Sequence, residues 1–142
     1  MKYMSTIAAS VLMSVSLATS AFAEESIADR EAWLAKAVTQ IEAGEINKLE
    51  TTVKTTLGES MHDDVETLLG PLQNVMADHK PIYVDKIVHE KMGQTFDQHI
   101  YAAYYGERDF LFYAFTFARL ENGWQLYSLD FADELSGLNP IN

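Results

Sequence analysis

Four histidines are the side chains best suited to acid–base or metal chemistry in this chain, and their spacing limits what they can do. His62-Asp63-Asp64 falls at the start of a predicted helix, and His79 just beyond its end. His89-Glu90 closes a predicted strand, and Asp97-x-His99 shares one face of the next. None has the His-x-x-x-His or His-Glu-x-x-His spacing that sets two metal ligands on one side of a helix. The sequence therefore predicts no metal site and no cofactor. Cross-strand neighbours Lys86 and Thr116 would instead make His99 part of a polar patch. Cysteine is absent, which excludes thiolate nucleophiles, zinc-thiolate sites and disulfides. There is no Gly-x-Ser-x-Gly nucleophile turn and no glycine-rich phosphate loop.

A second set of groups could serve proton transfer or ligand recognition. Gln98, Tyr104, Tyr113, Arg119, Ser128 and Asp130 are the polar residues of one predicted, mostly aromatic sheet face. A carboxylate among aromatic rings is poorly solvated, so its pKa rises and it can act as a general base. Asp130 is the best candidate, although a carboxylate near a strand end more often simply pairs, here with Arg119, or meets solvent. Tyr104 and Tyr113 also fit as core residues whose hydroxyls find a partner.

These positions depend on strands. After Pro81 the apolar pattern has a period of two, giving runs at 82–90, 95–105, 109–120 and 124–132. The pairs Met92-Gly93, Glu107-Arg108 and Asn122-Gly123 separate the runs and read as two-residue hairpin turns. An antiparallel meander follows. Pairing outward from those turns gives two faces, both apolar and aromatic. Helices can cover only one, and a small monomer normally leaves the other polar. A second copy of the chain is the simplest cover, and a homodimer is expected. Tyr101, Phe110, Phe112, Tyr127 and Phe131 are the expected interface, because Ala103, Ala114 and Ala118 between them permit close approach. A bulge in either long central strand would exchange the faces beyond it.

The first half reads as helices. Ser26 and Asp29 have the form of a capping box, ahead of Ile27, Leu34, Val38 and Ile41 on one face, and Gly44 stops a helix at 26–43. Asn47 opens a second, with Leu49, Val53 and Leu57 four apart and Gly58 at its end. Ser60 and Asp63 open a third at 61–77, broken at Gly70-Pro71. The predicted fold is α+β: three N-terminal helices, within about 26–78, on a curved four-stranded antiparallel meander at about 82–132.

Residues 1–23 have the pattern of an export signal: Lys2, an apolar stretch from Ile7 to Leu17, and Ala21-Phe22-Ala23 as a small-x-small cleavage site. Cleavage is expected after Ala23, leaving a single domain at 24–142 in a periplasm, without a membrane anchor. The apolar stretch is short for a span, which needs roughly 18 strongly apolar residues. Lys2 is the only charge in that segment, so the mature chain is one unit more negative than the −11 of the whole sequence. Such a surface disfavours nucleic acid, whose phosphates need clustered Lys and Arg.

The helices-then-sheet order and the hairpin from Phe115 through Arg119, Asn122-Gly123 and Trp124 to Leu126 resemble the cone-shaped superfamily of nuclear transport factor 2 and ketosteroid isomerase. The resemblance is strongest over residues 60–132, and the usual short first strand is not evident. It implies a pocket between sheet and helices. No catalytic motif of the isomerase type transfers to numbered positions. The expected function is a non-catalytic exported binding or accessory domain whose aromatic cavity holds a small apolar or amphipathic molecule or a partner segment. The alternative is a small isomerase, dehydratase or hydrolase using Asp130 with Tyr104 or Tyr113.

Overall fold

A computed structural model describes residues 13–14, 26–76 and 79–138. The expected leader and its cleavage site lie outside the described residues, apart from Met13 and Ser14. The elements run β1 (Met13–Ser14), α1 (Arg30–Glu42), α2 (Ile46–Leu57), α3 (His62–Met76), β2 (Tyr83–Met92), β3 (Phe96–Gly106), β4 (Asp109–Leu120) and β5 (Gly123–Ala132). The α+β architecture is as the sequence predicts: three helices, then a four-stranded antiparallel meander. The two-residue β1 adds a fifth strand beside β5, in the order β1-β5-β4-β3-β2. No helix among the described residues is long and apolar enough to cross a membrane.

Helix α1 starts four positions later than the sequence predicts. Residues before it are extended, because Ile27 forms an isolated bridge to Trp124, with backbone N–H···O distances of 2.7 and 2.9 Å. Asp29 is the N-cap, and its carboxylate accepts from the Ala32 N–H at 3.0 Å. Gly123 makes that bridge possible. Its φ is +147°, and a Cβ there would sit 2.8 Å from the Ile27 carbonyl oxygen. Helix α3 is preceded by a 3-10 turn, Glu59–Met61, and runs straight through Pro71 to Met76.

One layer of helices covers one sheet face. Leu34, Ala37 and Ile41 of α1, Leu49, Val53 and Leu57 of α2, and Leu68, Leu69 and Leu72 of α3 bury against Leu111, Tyr113, Phe115, Phe117, Leu126 and Phe131. Trp33 meets Phe115 and Phe117 edge-on at 5.9 and 5.7 Å, a favoured aromatic geometry. The other sheet face carries a smaller cluster of Ile100, Ala114 and Ala132, covered by Leu138 from the chain's own C-terminal segment. That segment supplies part of the cover the sequence assigns to a second copy.

The register departs from the sequence expectation at each hairpin, and the departures re-sort both faces. Met92 pairs Phe96, so the first loop holds Gly93, Gln94 and Thr95 rather than two residues. Glu107-Arg108 is a two-residue turn as expected, but the register shifts between Tyr104 and Gly106, and Tyr104 pairs Phe110. The third turn closes on Glu121-Asn122, with Leu120 opposite Gly123. Further shifts lie between Lys86 and Val88 on β2 and between Thr116 and Phe117 on β4. One extra residue in a strand turns every side chain beyond it to the opposite face.

Candidate functional site

The two predicted site groups are each divided by this register. Of the ligand candidates, Gln98, Tyr104, Ser128 and Asp130 belong to the outer face, whereas Tyr113 is buried in the helix-side core and Arg119 is exposed opposite Trp124. Of the interface candidates, Phe110, Phe112 and Tyr127 are half-buried on the outer face, where Phe110 stacks with Phe112 at 6.0 Å and Tyr127 meets Phe96 at 5.0 Å. Tyr101 and Phe131 belong to the helix-side core. Asp130 is buried opposite Ala114, at the far end of the β4–β5 ladder from Arg119. An Asp130–Tyr113 pair would need one cavity to open through the sheet. The Tyr113 hydroxyl instead lies 3.4 Å from that of Tyr105, and burial holds its pKa well above the ordinary tyrosine value.

The strongest concentration of chemistry lies elsewhere, on the helix side of the β2–β3 hairpin. His89 of β2 pairs directly with His99 of β3, and Asp97 projects two residues along on the same face. Asp97 and His99 are 1% and 0% exposed. Asp97 Oδ1 lies 2.8 Å from His89 Nε2, and Oδ2 forms an ion pair with the Arg30 guanidinium. His89 and His99 stack with ring centroids 4.2 Å apart. Arg30 stands at the first position of α1, lies over Trp124 at 4.3 Å and bonds Glu31 at 3.0 Å. The late helix start described above is what brings this guanidinium to the sheet.

Burial dominates the electrostatics here. It pushes the His99 imidazole down to about 4, against the opposing pull of Asp97, with the neighbouring His89, Lys86 and Arg30 adding to the depression. His99 is therefore neutral at neutral pH. The hydrogen bond from Arg30 holds Glu31 below its ordinary value. Burial raises Tyr101, in the same layer, to about 12.

One ligand atom from each of His89, Asp97 and His99 lies within 4.8 Å of the other two. The sequence reading treats His89 and Asp97-x-His99 as separate features, because the three-residue loop that brings them level cannot be told from a two-residue one by composition. An apolar/polar alternation broken by Lys86, His89, Asp97 and His99 on the helix-facing side was the available signal.

The outer face holds a cleft of about 400 Å³ between the same two strands and the C-terminal segment, lined by Val88, Glu90, Gln98, Ile100, Leu135, Ser136 and Leu138. Gln98, one of the lining residues, donates from its amide to Thr116 Oγ1 at 3.1 Å. No protein-family model, curated protein or solved structure matches this chain.

Proposed function

We propose that this protein is an exported, non-catalytic binding domain that holds a small amphipathic molecule on the outer face of its sheet. The observation that carries the reading is the cleft lined by Val88, Ile100, Leu135 and Leu138, with Glu90, Gln98 and Ser136 at its polar positions. Its volume lies within the roughly 300–1,000 Å³ typical of small-molecule sites, and an apolar wall with a few polar groups is their usual composition. Glu90 disfavours an anionic head group, so the fitting ligand is neutral or cationic at its polar end. The leader-like residues 1–23 support a periplasmic location, and the cleft lies on the sheet face opposite the one where the resemblance to the cone-shaped superfamily implies a pocket. A homodimer remains part of this reading: Tyr104, Phe110 and Phe112 form a half-buried aromatic row on the outer face that a second copy would cover.

Native mass spectrometry of the mature protein purified from its own periplasm tests the proposal. The expected spectrum contains a non-protein mass that is retained by wild type and lost on Ile100→Glu. Wild-type protein carrying no added mass, together with no binding of cationic or neutral amphiphiles by calorimetry, would overturn it.

A further inference from the structure

We infer that His89, Asp97 and His99 form a binding site for a single divalent transition-metal ion of the zinc class, separate from the outer-face cleft. Two imidazoles and one carboxylate match the donor set that zinc and its neighbours prefer, whereas calcium and magnesium take oxygen ligands. The three donors come from adjacent strands and already lie within 4.8 Å of one another. Tetrahedral coordination at about 2.1 Å places ligand atoms ~3.4 Å apart. His99 Nε2 lies 3.4 Å from Asp97 Oδ2, and His89 Nε2 lies 2.8 Å from Oδ1.

An independent observation points to a ligand at this place. His99 is fully buried, yet among the described residues neither of its ring nitrogens makes a hydrogen bond, the contact of Nε2 with Asp97 Oδ2 at 3.4 Å not having hydrogen-bond geometry. Buried polar side chains are nearly always partnered, and leaving one unpartnered costs on the order of 1–3 kcal/mol. The orphaned imidazole faces the carboxylate, where a cation would take a lone pair from each. His89 is the movable member, with its side chain 40% exposed on the sheet's outermost strand. Its ring must swing out of the stack with His99 to aim Nε2 at the ion. That nitrogen lies within hydrogen-bonding distance of Asp97 Oδ1. On metal binding any proton there moves to Nδ1 or passes to solvent. Arg30 then stays on the carboxylate as an outer partner and fixes its orientation. Three protein ligands leave one coordination position open to water.

The test is zinc binding to chelator-treated full-length mature protein, by equilibrium dialysis and by the zinc-induced shift in melting temperature. One ion per chain is expected, together with a rise in Tm. His89→Ala, at a half-exposed position, should fold normally, lose at least 100-fold in affinity and show no Tm rise. His62→Ala and His79→Ala, which remove histidines outside the cluster, should bind as wild type does. Binding by His89→Ala equal to that of wild type would overturn the assignment. So would equal losses in the His62 and His79 variants, or wild-type protein that binds no zinc.

Discussion

His99 lies directly across the β2–β3 ladder from His89, ring on ring at 4.2 Å, but the two occupy opposite environments: His99 is sealed and His89 is open to solvent. That difference sets a pH dependence. In an unfolded chain the His99 ring titrates near 6.5, and in the folded protein at about 4. Between those values the unfolded chain binds the extra proton, so falling pH favours unfolding. The stability linked to His99 is complete above about pH 6.5 and gone by about pH 4, a span of ~3 kcal/mol. The groups facing it, Asp97, His89, Lys86 and Arg30, are common to wild type and His99→Gln. Urea unfolding of both from pH 7 to 4.5 should give a steeper loss for wild type. Parallel curves would show that His99 does not titrate in this way.

Asp97→Asn removes the buried carboxylate paired with the Arg30 guanidinium, Asp97 being 1% exposed, and leaves Arg30 its bond to the exposed Glu31. Breaking a fully buried pair costs about 3–5 kcal/mol, and the retained Glu31 contact and partial exposure of Arg30 put the expected loss at the lower end of that range. The urea midpoint measured in the presence of chelator should fall accordingly. Asp97→Asn with Arg30→Met should recover much of the loss. A double variant no more stable than the single one would mean that the pair is not the source of the effect.

Gly123→Ala and Gly70→Ala should have opposite signs. At Gly123 the added methyl meets the Ile27 carbonyl at 2.8 Å, with φ at +147°. The bridge that sets the start of α1 must give way, at a cost on the order of 2 kcal/mol. At Gly70, inside α3, nothing lies within 4 Å, and alanine gains up to about 1 kcal/mol through helix propensity. Thermal melts of the two variants check both signs. Destabilisation by Gly70→Ala would mean that α3 needs flexibility beside Pro71.

The element order was legible in the sequence because it depends on period alone: apolar residues four apart up to Met76, then alternation after Pro81. Register was not, because it depends on single residues. Thr95 could belong to loop or strand, Tyr105 could be in line or bulged, and Asn122-Gly123 could form the turn itself or lie one position beyond it. Each ambiguity moves whole rows of side chains, which is why Tyr113 parted from Asp130 and why His89, Asp97 and His99 met. Arg30 was hidden for a different reason. A capping-box pattern at Ser26 and Asp29 fits helix propensity, and only the Ile27–Trp124 bridge, a long-range contact, delays the helix until Arg30.

Phe112 and Phe131, grouped by the sequence as one interface, should respond differently to aspartate. Phe131 is 2% exposed, pairs with Tyr113 and packs in the main core. Phe131→Asp buries an unpartnered charge there and should abolish folding, as seen by loss of near-ultraviolet circular dichroism. Phe112 lies half-buried on the outer face, stacked on Phe110, so Phe112→Asp should fold with a loss of about 1–2 kcal/mol. Light scattering of that folded variant then reports on the outer face alone. If wild type is a dimer through the aromatic row, Phe112→Asp should be a monomer at the same concentration. A Phe112→Asp protein that keeps the dimer mass would move the interface away from this row, leaving the exposed Ile82, just before strand β2, and Tyr83 and Ile87 on it as the next surface to substitute.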